Sequence, residues 1–189
     1  MTKMTKKIYL IRHAEAEHNV AYKIYGESAY ESPQFRDADI TLNGISQAEK
    51  ASISLDFVPF EVVFTSPLVR TLHTSHILFK QHCIPIIAKE DIRERYDRHP
   101  VNNRQDVTHL LELYPNVDFS EIISNEDHLY NTPDDLEQRA KSFITYLLSR
   151  PETCIAVVSH ETFLREVLAQ FRIPNYNLKN CEYKCIELS

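Results

Sequence analysis

Apolar residues along this chain come in two alternating patterns. Short unbroken runs read as buried strands: Ile8-Tyr9-Leu10-Ile11, Glu61-Val62-Val63-Phe64, residues 84–87, residues 154–158 and residues 182–188. Between them, apolar positions recur at helical spacing. Leu42, Ile45 and Ala48 share one face of a helix that Thr41 caps. Ser66-Pro67 reads as an N-cap followed by a first-turn proline, opening a helix to about Lys80. Thr132-Pro133-Asp134-Asp135 is a similar start, for a helix running through Leu136, Ala140, Phe143 and Leu147. Residues 162–171 predict a further helix.

This βαβ rhythm predicts an α/β fold: a mainly parallel central sheet with helices on both faces, a three-layer αβα sandwich. A chain of 189 residues with 43% hydrophobic content suits a single domain over 1–189. The stretch 91–131 fits the rhythm poorly and reads as an insertion over the active edge.

Composition removes several functions. With only 2 glycines, neither a dinucleotide fingerprint nor a P-loop can be written. A net charge of -6 argues against binding to nucleic acid or to an anionic membrane surface. The N-terminal segment is basic, but only four apolar residues follow before Arg12, too few for a signal-peptide core. No apolar run reaches the ~20 residues of a membrane span. Cys83, Cys154, Cys181 and Cys185 lack zinc spacing and read as reduced thiols of a cytoplasmic protein, with a Cys181–Cys185 disulfide as the alternative.

Two of the strand runs end abruptly at a histidine, in Arg12-His13 and in Ser159-His160. Groups just past the carboxyl ends of parallel strands share one crevice. A third strand run leads into Ser66-Pro67-Leu68-Val69-Arg70-Thr71, which places Arg70 in the first turns of a helix beside free backbone N–H groups. Three cationic groups after three strands suggest a nucleophile in a cradle for one phosphoryl group. His73, His76 and His82 have no accompanying carboxylate cluster and give no metal site. Tyr22, Tyr25, Tyr30 and Phe35 read either as an aromatic wall of the pocket or as loop packing.

Arg12-His13-Ala14-Glu15 resembles the R-H-G-E signature of the histidine phosphatase superfamily, the phosphoglycerate mutase-like fold. Asn19 matches that family's asparagine six residues after the histidine. Residues 39–48 resemble its D-x-x-L-T-x-x-G-x-x-Q-A segment, Ser66 to Thr71 its S-P-L-x-R-T, Ile92-Arg93-Glu94 its L-x-E, and Ser159-His160-Glu161 the start of its second-histidine block. The resemblance runs in family order over nearly the whole chain. It implies a phosphomonoesterase without cofactor or metal, acting on a small phosphorylated substrate. His13 would be the nucleophile that becomes phosphohistidine. Arg12, Asn19, Arg70 and His160 would bind the phosphoryl oxygens, and Glu94 would be the proton donor. Glycine is replaced by Ala14 after the first histidine and by Glu161 after the second. In another branch the donor directly follows the second histidine, so Glu161 is a rival to Glu94.

A mutase is the alternative within the family. The short sequence after the last strand, leaving little for a closing tail, favours hydrolysis. A catalytically silent protein on the same fold would have lost core residues that this chain retains. In 91–131, Arg98 and Arg104 read either as a second anion site, together with Arg93, Arg95 and His99, or as partners of Asp91, Asp97 and Asp106. Substrate identity and oligomeric state stay open.

Overall fold

The apolar run near the N-terminus forms β1 (Lys6–Arg12), and its alternation decides which layer each side chain enters. The computed structural model describes residues 5–188; the first four residues of the basic N-terminal segment, part of the signal-peptide argument, lie outside the described residues. After β1 come α1 (Glu17–Tyr25), α2 (Ser28–Glu31), α3 (Leu42–Leu55), β2 (Val62–Thr65), α4 (Val69–Phe79) and β3 (Ile86–Ala88). Then follow α5 (Val107–Leu113), β4 (Val117–Asp118), α6 (Leu136–Ser149), β5 (Cys154–Ser159), α7 (Glu161–Gln170) and β6 (Tyr183–Leu188).

The strands form one sheet in the order β4-β3-β2-β5-β1-β6. Five strands run parallel, and β6 closes one edge antiparallel to β1. Strand side chains alternate between faces. Ile8, Leu10, Phe64, Ile155 and Val157 pack with Phe143 and Leu147 of α6 and with Phe163 and Leu164 of α7. Ile11, Val63, Ala156 and Val158 face the other way, against Leu55 of α3 and Leu78 and Phe79 of α4. Each fully buried Leu, Ile or Phe contributes about 1.5–3 kcal/mol relative to exposure. The expected three-layer arrangement is present, and it follows from this two-sided apolar demand.

Two helix starts differ from the sequence expectation. Helix α4 begins at Val69 with Leu68 as its cap residue, not at Ser66-Pro67. The Ser66 hydroxyl lies 2.8 Å from His160 Nε2 instead, and the Ser66 carbonyl accepts from Thr71 Oγ1. Helix α6 begins at Leu136, capped by Asp135, whose side chain accepts from the Gln138 N–H. Asp134 is held by Arg139 and by the Tyr96 N–H. The Thr41 cap is as expected, with Oγ1 accepting from the Gly44 N–H.

The segment 91–131 belongs partly to the sheet. Its strand β4 pairs parallel with β3. Arg104 is fully buried, and its guanidinium meets Glu90 and the carbonyls of Gln105, Ser124, Asn125 and Glu126. Arg93, also buried, pairs with Glu90 and Asp127. These arginines tie the segment to itself. Arg104 therefore cannot serve the second anion site considered from sequence. All four cysteines are free, so the Cys181–Cys185 disulfide is not formed. Among the described residues no helix is long and apolar enough to cross a membrane.

Candidate active site

Strands β1, β5 and β2 are neighbours, and their carboxyl ends deliver the chemistry. Arg12 is level with Ser159, and Thr65 with Val158. The next residues, His13, His160 and Ser66, therefore emerge side by side. The rings of His13 and His160 have centroids 5.2 Å apart. A cleft here is lined by Arg12, His13, Asn19, Arg70, Glu94 and Glu161, and also by His18, Tyr30, Asp97, His99, Val101, Asn102 and Thr162.

The protonation of His13 can be read from its partners. Nδ1 lies 2.7 Å from the Ala14 carbonyl, an acceptor only, so Nδ1 carries the proton and donates it. Burial, reinforced by Arg70 and Arg12, holds the His13 pKa well below its ordinary value. The ring is thus neutral, with its Nε2 lone pair free. The loop after it is pinned to α3: the Glu15 N–H donates to Gln47 Oε1, and the Glu15 carbonyl accepts from the Thr41 N–H. Gly44 permits this approach, because a Cβ there would sit 2.2 Å from the Glu15 carbonyl oxygen. The Glu15 carboxylate accepts from Thr41, Asn43 and Lys23, bonds that hold its pKa below the usual range.

Arg70 is 1% exposed. Its Nη1 donates to the Val101 carbonyl and its Nη2 to Asn102 Oδ1, both at 2.8 Å. Burial lowers its pKa to about 10, so it stays charged at neutral pH. Asp37, buried nearby, accepts from the Val69 and Gln105 N–H groups, and burial raises its pKa to about 6. Arg12 Nη1 donates to the Leu178 carbonyl and meets Glu161 at 2.5 Å. His160 is fully buried, and its pKa is depressed by burial and by Arg70.

His18 lines the cleft and was not singled out from sequence. Asn19 Oδ1 accepts from the Ala16 N–H, which orients its amide so that Nδ2 donates to His18 Nε2. Burial depresses the His18 pKa, so the neutral ring carries its proton on Nδ1. Four buried nitrogens around His13 have no hydrogen-bond partner among the described residues: Arg12 Nε, His18 Nδ1, Arg70 Nε and His160 Nδ1. Buried polar atoms left so cost about 1–3 kcal/mol each. A ring of such groups fits an anion with several acceptor oxygens.

The two candidate proton donors differ in their partners. Glu94 Oε1 accepts from the Arg95 N–H, and Oε2 from the Thr162 N–H in the first turn of α7 at 3.3 Å. Arg139 reinforces that placement by donating to the carbonyls of Asp91, Arg93 and Glu94. Glu161 is engaged by Arg12.

Several candidates lie elsewhere. Arg98 is exposed with φ +63° and does not line the cleft, so neither arginine of the second anion site reaches it. His73 pairs with Asp39, and His82 lies 3.9 Å from Asp56. Among the described residues no cluster of three or more His, Cys, Asp or Glu could hold a metal ion. Of the suggested aromatic wall, Tyr30 lines the cleft and Tyr22 stacks on it at 4.9 Å. Tyr25 and Phe35 do not take part. Asn102, missed from sequence, ends a single 3₁₀ turn, Pro100–Asn102, too short to show periodicity. Asp97 reads from sequence only as a partner of the neighbouring arginines. His18 did carry a signal, its position next to Asn19.

A pH prediction follows from the three histidines. In the unfolded chain they titrate near the ordinary histidine value of ~6.5. In the folded protein all three are held well below it. Above that value neither state binds these protons, and the histidines do not alter stability. Below it the unfolded chain takes up protons that the fold refuses, so stability falls as pH falls. Each fully differential proton contributes about 1.4 kcal/mol per pH unit. Asp37, raised to about 6, works oppositely and offsets part of one proton. Urea unfolding is expected to shift to lower concentration between pH 7.5 and 5.5, and less so with bound phosphate. A midpoint constant or rising over that range contradicts the assignment of neutral histidines.

This sheet order and site define a phosphoglycerate mutase-like α/β protein. The chain belongs to the histidine phosphatase superfamily, branch 1, whose family model matches residues 8–188. Phosphoglycerate mutase-like protein 1 of Arabidopsis thaliana is 32% identical over 201 residues, covering 86% of this chain and 71% of that protein. The α-ribazole phosphatase of Shigella flexneri is structurally similar, with TM-score 0.67 at 20% identity, covering 97% of this chain and 91% of that one. Phosphoglycerate mutase of Bacillus anthracis gives a TM-score of 0.65 at 12% identity, covering 97% and 88%. Proteins named as phosphatases and as mutases share this fold.

Proposed function

We propose that this protein is a phosphatase that hydrolyses small phosphomonoesters through a phosphohistidine on His13. The observation that carries the reading is the state of His13: neutral, with Nδ1 donating to the Ala14 carbonyl and Nε2 free, between Arg12 and Arg70. Nε2 attacks phosphorus and the ester P–O bond breaks. Glu94 gives its proton to the leaving alkoxide. The Glu94 carboxylate then takes a proton from water, the hydroxide attacks phosphorus, the P–N bond breaks and inorganic phosphate leaves. Arg12, Arg70, Asn19 and His160 hold the phosphoryl oxygens during both steps. Arginine suits this task because its charge is permanent and its fork matches phosphate oxygens.

Hydrolysis is favoured over mutase chemistry by the outer cleft. It presents Glu94, Asp97 and Glu161, while Arg93, Arg98 and Arg104 do not line it. Among the described residues, Arg12 and Arg70 are the arginines of the cleft, so with the phosphoryl group on them a phosphoglycerate carboxylate has no further arginine to meet there. With 3-phosphoglycerate and a panel of other phosphomonoesters, release of inorganic phosphate is the expected reaction. Formation of 2-phosphoglycerate faster than phosphate would make the protein a mutase. Absence of both with every ester would overturn the enzymatic reading.

A further inference from the structure

The cleft is divided by charge. Its inner end carries Arg12, Arg70 and the unpartnered nitrogens around His13. Its half-exposed lining, the outer end, carries three carboxylates, Glu94, Asp97 and Glu161, and the rings of Tyr30 and His99. Two of those carboxylates have work already: Glu94 sits on the first turn of α7, and Glu161 pairs with Arg12. Asp97 has only a supporting one, with a single oxygen, through Asn102 to Arg70. Its Oδ1 accepts from the His99 N–H and from Asn102 Nδ2, while Oδ2 has no hydrogen-bond partner among the described residues. No cation lies within ion-pair distance of Asp97 among those residues. Tyr30 and His99 line the same end, with ring centroids 5.9 Å apart, and Tyr22 stacks behind Tyr30.

Once a phosphoryl dianion occupies the two arginines, Asp97 is the uncompensated carboxylate beside the aromatic faces, because Glu94 holds a proton for the leaving group and Glu161 pairs with Arg12. Such surroundings attract an ammonium group through both carboxylate and ring. They also repel a second anion, and repulsion of the wrong partner is as much a part of specificity as attraction of the right one. The arginines of the neighbouring segment do not reverse this field. Arg93 and Arg104 are bound to Glu90, Asp127 and backbone carbonyls, and Arg95 and Arg98 are exposed and do not line the cleft.

We propose that Asp97, with Tyr30 and His99, forms a subsite for the leaving alcohol, selecting phosphomonoesters whose alcohol bears a cationic ammonium group and rejecting those with a second anion. This rests on the phosphatase reading in one respect: the phosphoryl group is taken to occupy the inner end, against His13.

Three esters of similar size test it: O-phosphoethanolamine, glycerol 3-phosphate and 3-phosphoglycerate. The expected order of kcat/KM is cationic, then neutral, then anionic, with about tenfold or more between the extremes. Asp97→Asn keeps an oxygen to accept from Asn102, and so the support of Arg70, but removes the charge. It should reduce the ratio of phosphoethanolamine to 3-phosphoglycerate kcat/KM by about tenfold. An unchanged ratio in the variant, or a wild-type preference for 3-phosphoglycerate, overturns the subsite. Failure of the phosphatase reading looks different: phenyl phosphate is not turned over at all. In that case calorimetric binding of the same two charged esters to the His13→Ala protein decides the subsite on its own. Tighter binding of phosphoethanolamine upholds the proposal, and equal or tighter binding of 3-phosphoglycerate overturns it.

Discussion

Alanine in place of His13 is expected to lower phosphomonoester turnover on the order of 10⁴-fold or more, the scale on which an enzyme loses its nucleophile. No neighbour can substitute. His18 Nε2 accepts from Asn19, and His160 Nε2 faces Ser66 Oγ. Only His13 combines a proton fixed on Nδ1 by a carbonyl with an uncommitted Nε2 in the cleft. Rapid quench of the wild-type protein with a labelled monoester should trap a phosphoramidate, labile in acid and stable in base. The His13→Ala protein should carry no label while keeping its thermal unfolding transition. Label on serine, cysteine or aspartate, or turnover that survives the substitution, would sink the mechanism.

The inner half of this site was legible in the sequence because it obeys local rules. Apolar runs that stop at Arg12-His13 and at Ser159-His160 must place those residues at the strand ends, and parallel pairing makes the ends neighbours. Thr41, Gly44 and Gln47 also follow a short-range logic, since they sit in one helix start against one loop. The misplaced helix starts have different causes. The Ser66 hydroxyl is recruited by His160, far along the chain, and sequence spacing carries no trace of that. The Thr132 hydroxyl donates to the Leu129 carbonyl just before it, and Asp135 caps the helix in its place.

The arginines of 91–131 show the same limit more sharply. As a row of letters, Arg93, Arg95, Arg98 and Arg104 read equally as anion binders or as partners of nearby carboxylates. Whether an arginine is free depends on which carbonyls return to it. Arg104 is met by backbone from 124–126, some twenty residues later. A buried guanidinium satisfied by carbonyls is a fastener for irregular chain, which has no ladder of its own to hold it. That fastening leaves the mouth of the cleft to Asp97 and Glu94 and removes the second-anion reading of these arginines.

Glu94→Gln is expected to be the second most damaging change, and selectively so. An alkyl ester leaves as an alkoxide of high basicity, and without a proton donor its departure should slow by about 10²–10⁴-fold. A phenolate leaving group needs little protonation, so turnover of an aryl phosphate should fall far less. Glutamine keeps the shape and an oxygen to accept from the Thr162 N–H, which separates loss of the proton from loss of the fold. The same pair of esters tested on Glu161→Gln should show no such contrast. That carboxylate is engaged by Arg12, and its loss should weaken both substrates together through the freed guanidinium. The contrast appearing in Glu161→Gln and not in Glu94→Gln would transfer the donor role to the residue after the second histidine. Its absence from both would mean that the leaving oxygen is protonated by water.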